Sequence, residues 1–134
     1  MSLRENEVIK AVQFEAVSVV ADDANGEINS IPSGVKTVKV TGVTNGANDW
    51  IVLPPLASVQ SGHEITILCK ASSNFEMRTP GGNEAINAQD SDGTKEYLCT
   101  DTEVIKVVKI SDAVGWMAHA YSALGAVVTA VVPD

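Results

Sequence analysis

Two histidines, two cysteines and 17 carboxylates are the side chains with which this 134-residue chain could do chemistry. A histidine titrates near neutrality and suits proton transfer. His63 falls in the turn Gln60-Ser61-Gly62-His63, and His119 in an apolar stretch beside Trp116 and Tyr121. A nucleophilic triad also needs a serine on a strained elbow and an orienting acid, and no Gly-x-Ser-x-Gly motif occurs. The histidines therefore read as a polar loop residue and a hydrogen-bonded core or interface residue. No catalytic residue is assigned, and the chain is not expected to be an enzyme.

Metal chemistry fares no better. Zinc needs clustered Cys and His, whereas Cys69 and Cys99 stand apart without a Cys-x-x-Cys. Both fall on inward strand faces, where buried thiols act as small hydrophobes; a disulfide across paired strands is the alternative. Asp90-Ser91-Asp92-Gly93 is like the opening of a calcium loop, and Asp22-Asp23 with Asn25 and Glu27 makes a second acidic turn. Each lacks the bidentate glutamate that completes such a loop, so both read as solvated turns and no metal is expected. Gly81-Gly82 lacks the strand and helix of a phosphate cradle, so no cofactor is expected either. Trp50, Tyr97, Trp116 and Tyr121 could stack on sugar rings, but all lie in strand-like segments, where packing is the expected role.

Bulk charge narrows the partners. Seventeen acids against nine bases give a net charge of −8, which disfavours phosphate neutralisation and so nucleic-acid binding. The most apolar region, Val114 to Val132, is broken by His119, Ser122, Thr129 and two glycines, so no membrane helix is expected. The acidic start Met-Ser-Leu-Arg-Glu-Asn-Glu lacks the pattern of a secretory signal, and two cysteines fit an intracellular origin.

The elements that would position these residues are strands. Residues 35–41, 50–53, 64–70, 75–78, 95–100, 103–110 and 115–121 are β-branched or alternating runs, bounded by turn formers such as Asn45-Gly46, Pro54-Pro55 and Pro80-Gly81. The polar stretch 81–94 reads as a long loop pinned by its one large apolar residue, Ile86. The spacing predicts an all-β, single-domain, antiparallel β-sandwich, jelly roll or β-barrel over residues 21–134, preceded by an extended arm or strand over residues 1–20. Residues 123–132 carry no charge and should be buried, against another subunit if not against the chain itself.

One pattern resembles a known group. Ile51-Val52-Leu53-Pro54-Pro55, Gly62, Ile65-Thr66-Ile67, the turn Ser72-Ser73-Asn74, Phe75-Glu76-Met77, the loop Gly81-Gly82-Asn83 with Ile86, and Gly115-Trp116 follow each other along residues 48–121. In that order they resemble the β-sandwich modules of tailed-phage virion proteins, most of all capsid decoration (cement) proteins. The cysteines and the length of the 81–94 loop depart from the pattern. The resemblance implies a homotrimer that binds the major capsid protein on the outside of an expanded phage head and stabilises it, made in the bacterial cytoplasm. A receptor- or glycan-binding domain of a tail fibre or spike is the alternative. The resemblance supplies no functional residues. From apolar exposure alone, the expected oligomer interface is Trp116, Ala118, Ala120, Val127, Val128 and Val131, and the expected capsid contact is Val8, Ile9, Val12 and Phe14.

Overall fold

A computed structural model describes residues 16–23, 26–46, 48–80, 84–90 and 96–128. Ten strands form there: β1 (Val17–Ala21), β2 (Thr37–Val43), β3 (Trp50–Val52), β4 (Glu64–Cys69), β5 (Phe75–Arg78), β6 (Ala85–Ile86), β7 (Gln89–Asp90), β8 (Tyr97–Cys99), β9 (Val104–Ser111) and β10 (Gly115–Tyr121). A helical turn, Gly26–Asn29, and a 3-10 turn, Leu56–Ser58, are the remaining regular pieces among the described residues. The fold is thus all-β. No helix among the described residues is long and apolar enough to cross a membrane.

The strands make a seven-stranded sheet ordered β1-β2-β4-β9-β10-β6-β7 and a three-stranded sheet ordered β3-β5-β8. Purely antiparallel pairing, the expectation from sequence, is not what forms: β1 with β2, β2 with β4, β3 with β5 and β10 with β6 are parallel. The cause lies in how the chain winds. From β2 to β5 each strand crosses to the other sheet, so β4 comes back beside β2, and β5 beside β3, in the same direction. Short turn-rich links cannot return a strand parallel within its own sheet, but a passage through the opposite sheet supplies the crossover. The first rung follows suit, since Ser30 bridges Val52 in parallel and the Ile31 N–H donates to the Val52 carbonyl at 2.9 Å. Neither sheet closes on itself among the described residues, and Asp22 bridges Trp50 to join the β1 side of the large sheet to β3.

Alternation decides which side chains meet. Val38, Val40, Ile65, Ile67, Ile105, Val107 and Trp116 of the large sheet face Ile51, Phe75, Met77 and Tyr97 of the small one, in a single core. The period of two places the intervening Thr37, Lys39, Thr66 and Lys106 on the outer face. Residues 17–20, read from sequence as part of an extended arm or strand, are strand: with Ala21 they form β1, with Val19 and Ala21 in the core. Ile86 does pin the long loop: β6 and β7 form a hairpin around Asn87 and Ala88, whose φ values of 51° and 66° are those of a type I′ turn. Beside it, Gly115 has φ +86°, and a Cβ there would stand 2.5 Å from the Ala85 carbonyl oxygen. Only glycine lets β6 approach β10 so closely.

Candidate functional site

The chemistry-bearing residues are dispersed, and the fold uses most of them. His63 Nε2 lies 2.9 Å from the Val35 carbonyl and donates to it, tying the turn before β4 to the entry of β2. His119 is not a core residue. It points out of β10 opposite Lys106 of β9, because Trp116, Ala118 and Ala120 take the inward positions. Cys69 and Cys99 are both buried and both free thiols. Burial, and secondarily the nearby Glu103 and Asp101 carboxylates, push the Cys69 thiol up to about 12. Burial raises Cys99 well above its ordinary value, with Cys69 and Glu103 adding to the shift. Thiols held protonated in this way are poor nucleophiles and poor metal ligands.

The acidic turn after β1 is also structural. The Asp22 carboxylate accepts from Thr44 Oγ1 at 2.6 Å, and the Asp49 carboxylate, 2% exposed, accepts from the Asn45 N–H at 2.6 Å. Asn29 Nδ2 donates to the Asp22 carbonyl at 2.8 Å, which anchors the helical turn. Among the described residues no group of three or more His, Cys, Asp or Glu side chains is placed to hold a metal ion. Asn25, Ser91 and Asp92 lie outside the described residues, as do the side chains of Glu27 and Asp90.

Two cations carry more of the structure than their sequence suggested. Lys109 takes an inward position in β9, in line with Ile105 and Val107, and is 4% exposed. Its ammonium donates to the carbonyls of Leu56 at 2.6 Å and Val59 at 2.8 Å and pairs with Asp112 at 2.5 Å. One side chain thereby fastens the 3-10 turn to the β9–β10 hairpin. Only part of the signal lies in the sequence: a lysine at an inward position needs a partner, and Asp112 follows three residues on, whereas the Leu56 and Val59 carbonyls are about 50 residues away. On the outer face of the small sheet, Arg78 stacks on Trp50 at 3.6 Å from the ring centroid and pairs with Glu96 at 2.7 Å and Glu76 at 3.6 Å. Trp50 is therefore covered by a neutralised guanidinium and is no open platform for a sugar ring.

The remaining expectations concern contact surface. Trp116, Ala118 and Ala120, expected at an oligomer interface, are at most 2% exposed in the chain's own core, so they present nothing to a partner. Alternation in β10 turned them inward. The free edge of β10 is sealed as well. The Asn87 N–H donates to the Trp116 carbonyl, and its carboxamide both accepts from the Ala118 N–H at 2.9 Å and donates to the Ala118 carbonyl at 3.2 Å, as a neighbouring strand would. Further along, Val128 N–H bonds the Ala120 carbonyl and Val127 bridges Tyr121. That return carries two apolar side chains into solvent, Leu124 at 97% and Val127 at 73% exposed, while Val128 is half-buried against the core. Residues 123–127 are thus exposed in the single chain, so the burial expected for this segment is not supplied by the described residues. Val131, Val8, Ile9, Val12 and Phe14 lie outside the described residues. No protein-family model, curated protein or solved structure matches the chain.

Proposed function

We propose that the chain is a structural assembly protein, a trimeric decoration protein that binds the major capsid protein on the outer surface of an expanded phage head and stabilises it without catalysis. The observation that carries this reading is the return after β10, which holds Leu124 and Val127 in solvent on a hydrogen-bonded turn. The Ser122 N–H donates to the Ala126 carbonyl at 2.8 Å and the Gly125 N–H to the Ser122 carbonyl at 2.9 Å. An apolar patch on an ordered turn is pre-organised for contact and loses little entropy on binding. We read the two-sheet body as the β-sandwich module of such virion proteins, with this turn as its grip on the shell. A subunit that binds only the assembled shell stabilises it by mass action, and several linked copies gain further from simultaneous engagement. The covered Trp50 weighs against the glycan-binding alternative.

The test is co-sedimentation of the full chain with undecorated heads of the phage that carries its gene. Wild type should pellet with the particles, and Leu124→Asp/Val127→Asp should stay in the supernatant while keeping its far-UV circular dichroism. Equal pelleting of both, or of neither, would overturn the assignment of the grip.

A further inference from the structure

The winding of the chain leaves one end of the body open. β1 is the last strand of the large sheet on that side; at its end the Asp22 N–H donates to the Trp50 carbonyl of β3 at 3.1 Å, and before that bridge no strand among the described residues pairs with its outer edge. The Ser30–Ile31 stretch borders β3 on the same side of the small sheet. Between these edges runs a groove lined by Val17, Ser18, Val20, Ile28, Ser30 and Pro32, with Ile28 40% exposed. Parallel pairing with β2 engages the backbone of alternate β1 residues, so the remaining N–H and C=O groups face the groove. A cleft with one wall of outward-turned backbone and others of apolar side chains suits an added extended strand.

We propose that this groove receives the N-terminal segment, residues 1–15, of a second copy of the chain, added as a strand beside β1. The segment leads directly into β1, and its sequence carries no signal for a return onto its own β1. From Glu7 to Ala16 there is no Gly, Pro, Asn or Asp, so nothing encodes the tight reversal that an antiparallel return requires. A parallel return needs a crossover of about a dozen residues or more, which would leave almost none to pair. A neighbour's groove is accessible, because 15 residues reach roughly 50 Å when extended, while a five-residue strand is about 17 Å long. Val12 and Phe14 alternate with Gln13 and Glu15, as a strand with one apolar face requires. Each copy gives one arm and receives one, a head-to-tail contact that closes into a ring. This deepens the proposed role and rests on it only for the ring's being a trimer. The apolar residues Val8, Val12 and Phe14 then serve self-association, and the grip on the shell stays with Leu124 and Val127.

Native mass spectrometry of the full chain tests the exchange with two variants, Ile28→Asp in the groove and Val12→Asp/Phe14→Asp in the arm. Wild type should be a closed oligomer and each variant a monomer with unchanged circular dichroism. An equal mixture of the two variants should give a heterodimer, since one supplies an intact arm and the other an intact groove. A monomeric wild type at its highest soluble concentration would overturn the proposal, as would an oligomer that survives the arm substitutions. The arm variant leaves the sequence of the groove unchanged, so it decides the matter even where Ile28→Asp perturbs folding. A monomer that still saturates heads would sink the exchange and leave the assembly role standing; an arm-linked ring that ignores heads would do the reverse.

Discussion

Replacing Lys109 by methionine keeps a stem of similar length in the core and removes the ammonium that three acceptors share. The Val59 carbonyl, 2.8 Å from that nitrogen, then loses its donor, and the Leu56 carbonyl, 2.6 Å from it, keeps only the Val59 N–H at 3.3 Å, in a place where Lys109 is 4% exposed. An orphaned buried acceptor costs on the order of 1–3 kcal/mol, and the weakened Leu56 carbonyl adds up to about 1 kcal/mol. Relief from desolvating the ammonium and the added apolar contact of methionine offset part of this, leaving a destabilisation of roughly 1–3 kcal/mol. Asp112→Asn removes the third partner, whose side chain is 78% exposed, and should cost far less because solvent screens that pair. Urea unfolding followed by the fluorescence of the buried Trp116 reads both, with equal m-values as the check on two-state behaviour. A K109M midpoint indistinguishable from wild type would refute the reasoning, and so would an Asp112→Asn variant as unstable as K109M.

Three further outcomes are expected. Gly115→Ala places a methyl group where 2.5 Å separates it from the Ala85 carbonyl oxygen, at a φ of +86°, so β6 must part from β10; a loss of at least about 2 kcal/mol is expected by thermal melting. Asn87→Ala strips the edge cover from Ala118, costing roughly 1–2 kcal/mol and increasing aggregation seen by light scattering, whereas an equally soluble variant would show that the edge needs no seal. Cys69 is raised from 9.0 to about 12 in the folded state, so its contribution is fully present below pH 9.0 and is lost as pH rises toward about 12. Stability measured across that window should fall less steeply in Cys69→Val than in wild type, and parallel profiles would contradict the assignment.

Most strands were legible because their sequences alternate or form β-branched runs between turn residues. Phe75–Arg78 and Gly115–Tyr121 form over the residues the pattern gave, and the Asn87-Ala88 reversal pivots at the anchored Ile86. Direction and partner were not legible. Nothing in Thr37–Val43 or Glu64–Cys69 says that the intervening β3 crosses to another sheet, and that crossing alone makes β2 and β4 parallel. The contact residues failed for a related reason: Trp116, Ala118 and Ala120 are as apolar as an interface requires, and only the register of β10 against β9 shows that they face inward. The residues with chemical potential were read correctly where strand alternation alone placed them, as for the two buried, unbonded thiols, and less well where long-range register gave them partners, as for Lys109 and Arg78.

The central claim is that this fold spends its polar chemistry on holding itself together and works by attaching to a larger particle. The most direct test is to titrate undecorated, expanded heads with the full chain and count bound copies by quantitative mass analysis of the purified particles. The account predicts saturation at a copy number compatible with the symmetry of the shell, occupied in multiples of three, with a raised disruption temperature of the decorated heads. Binding that fails to saturate, or no binding by a well-folded oligomer, would contradict it.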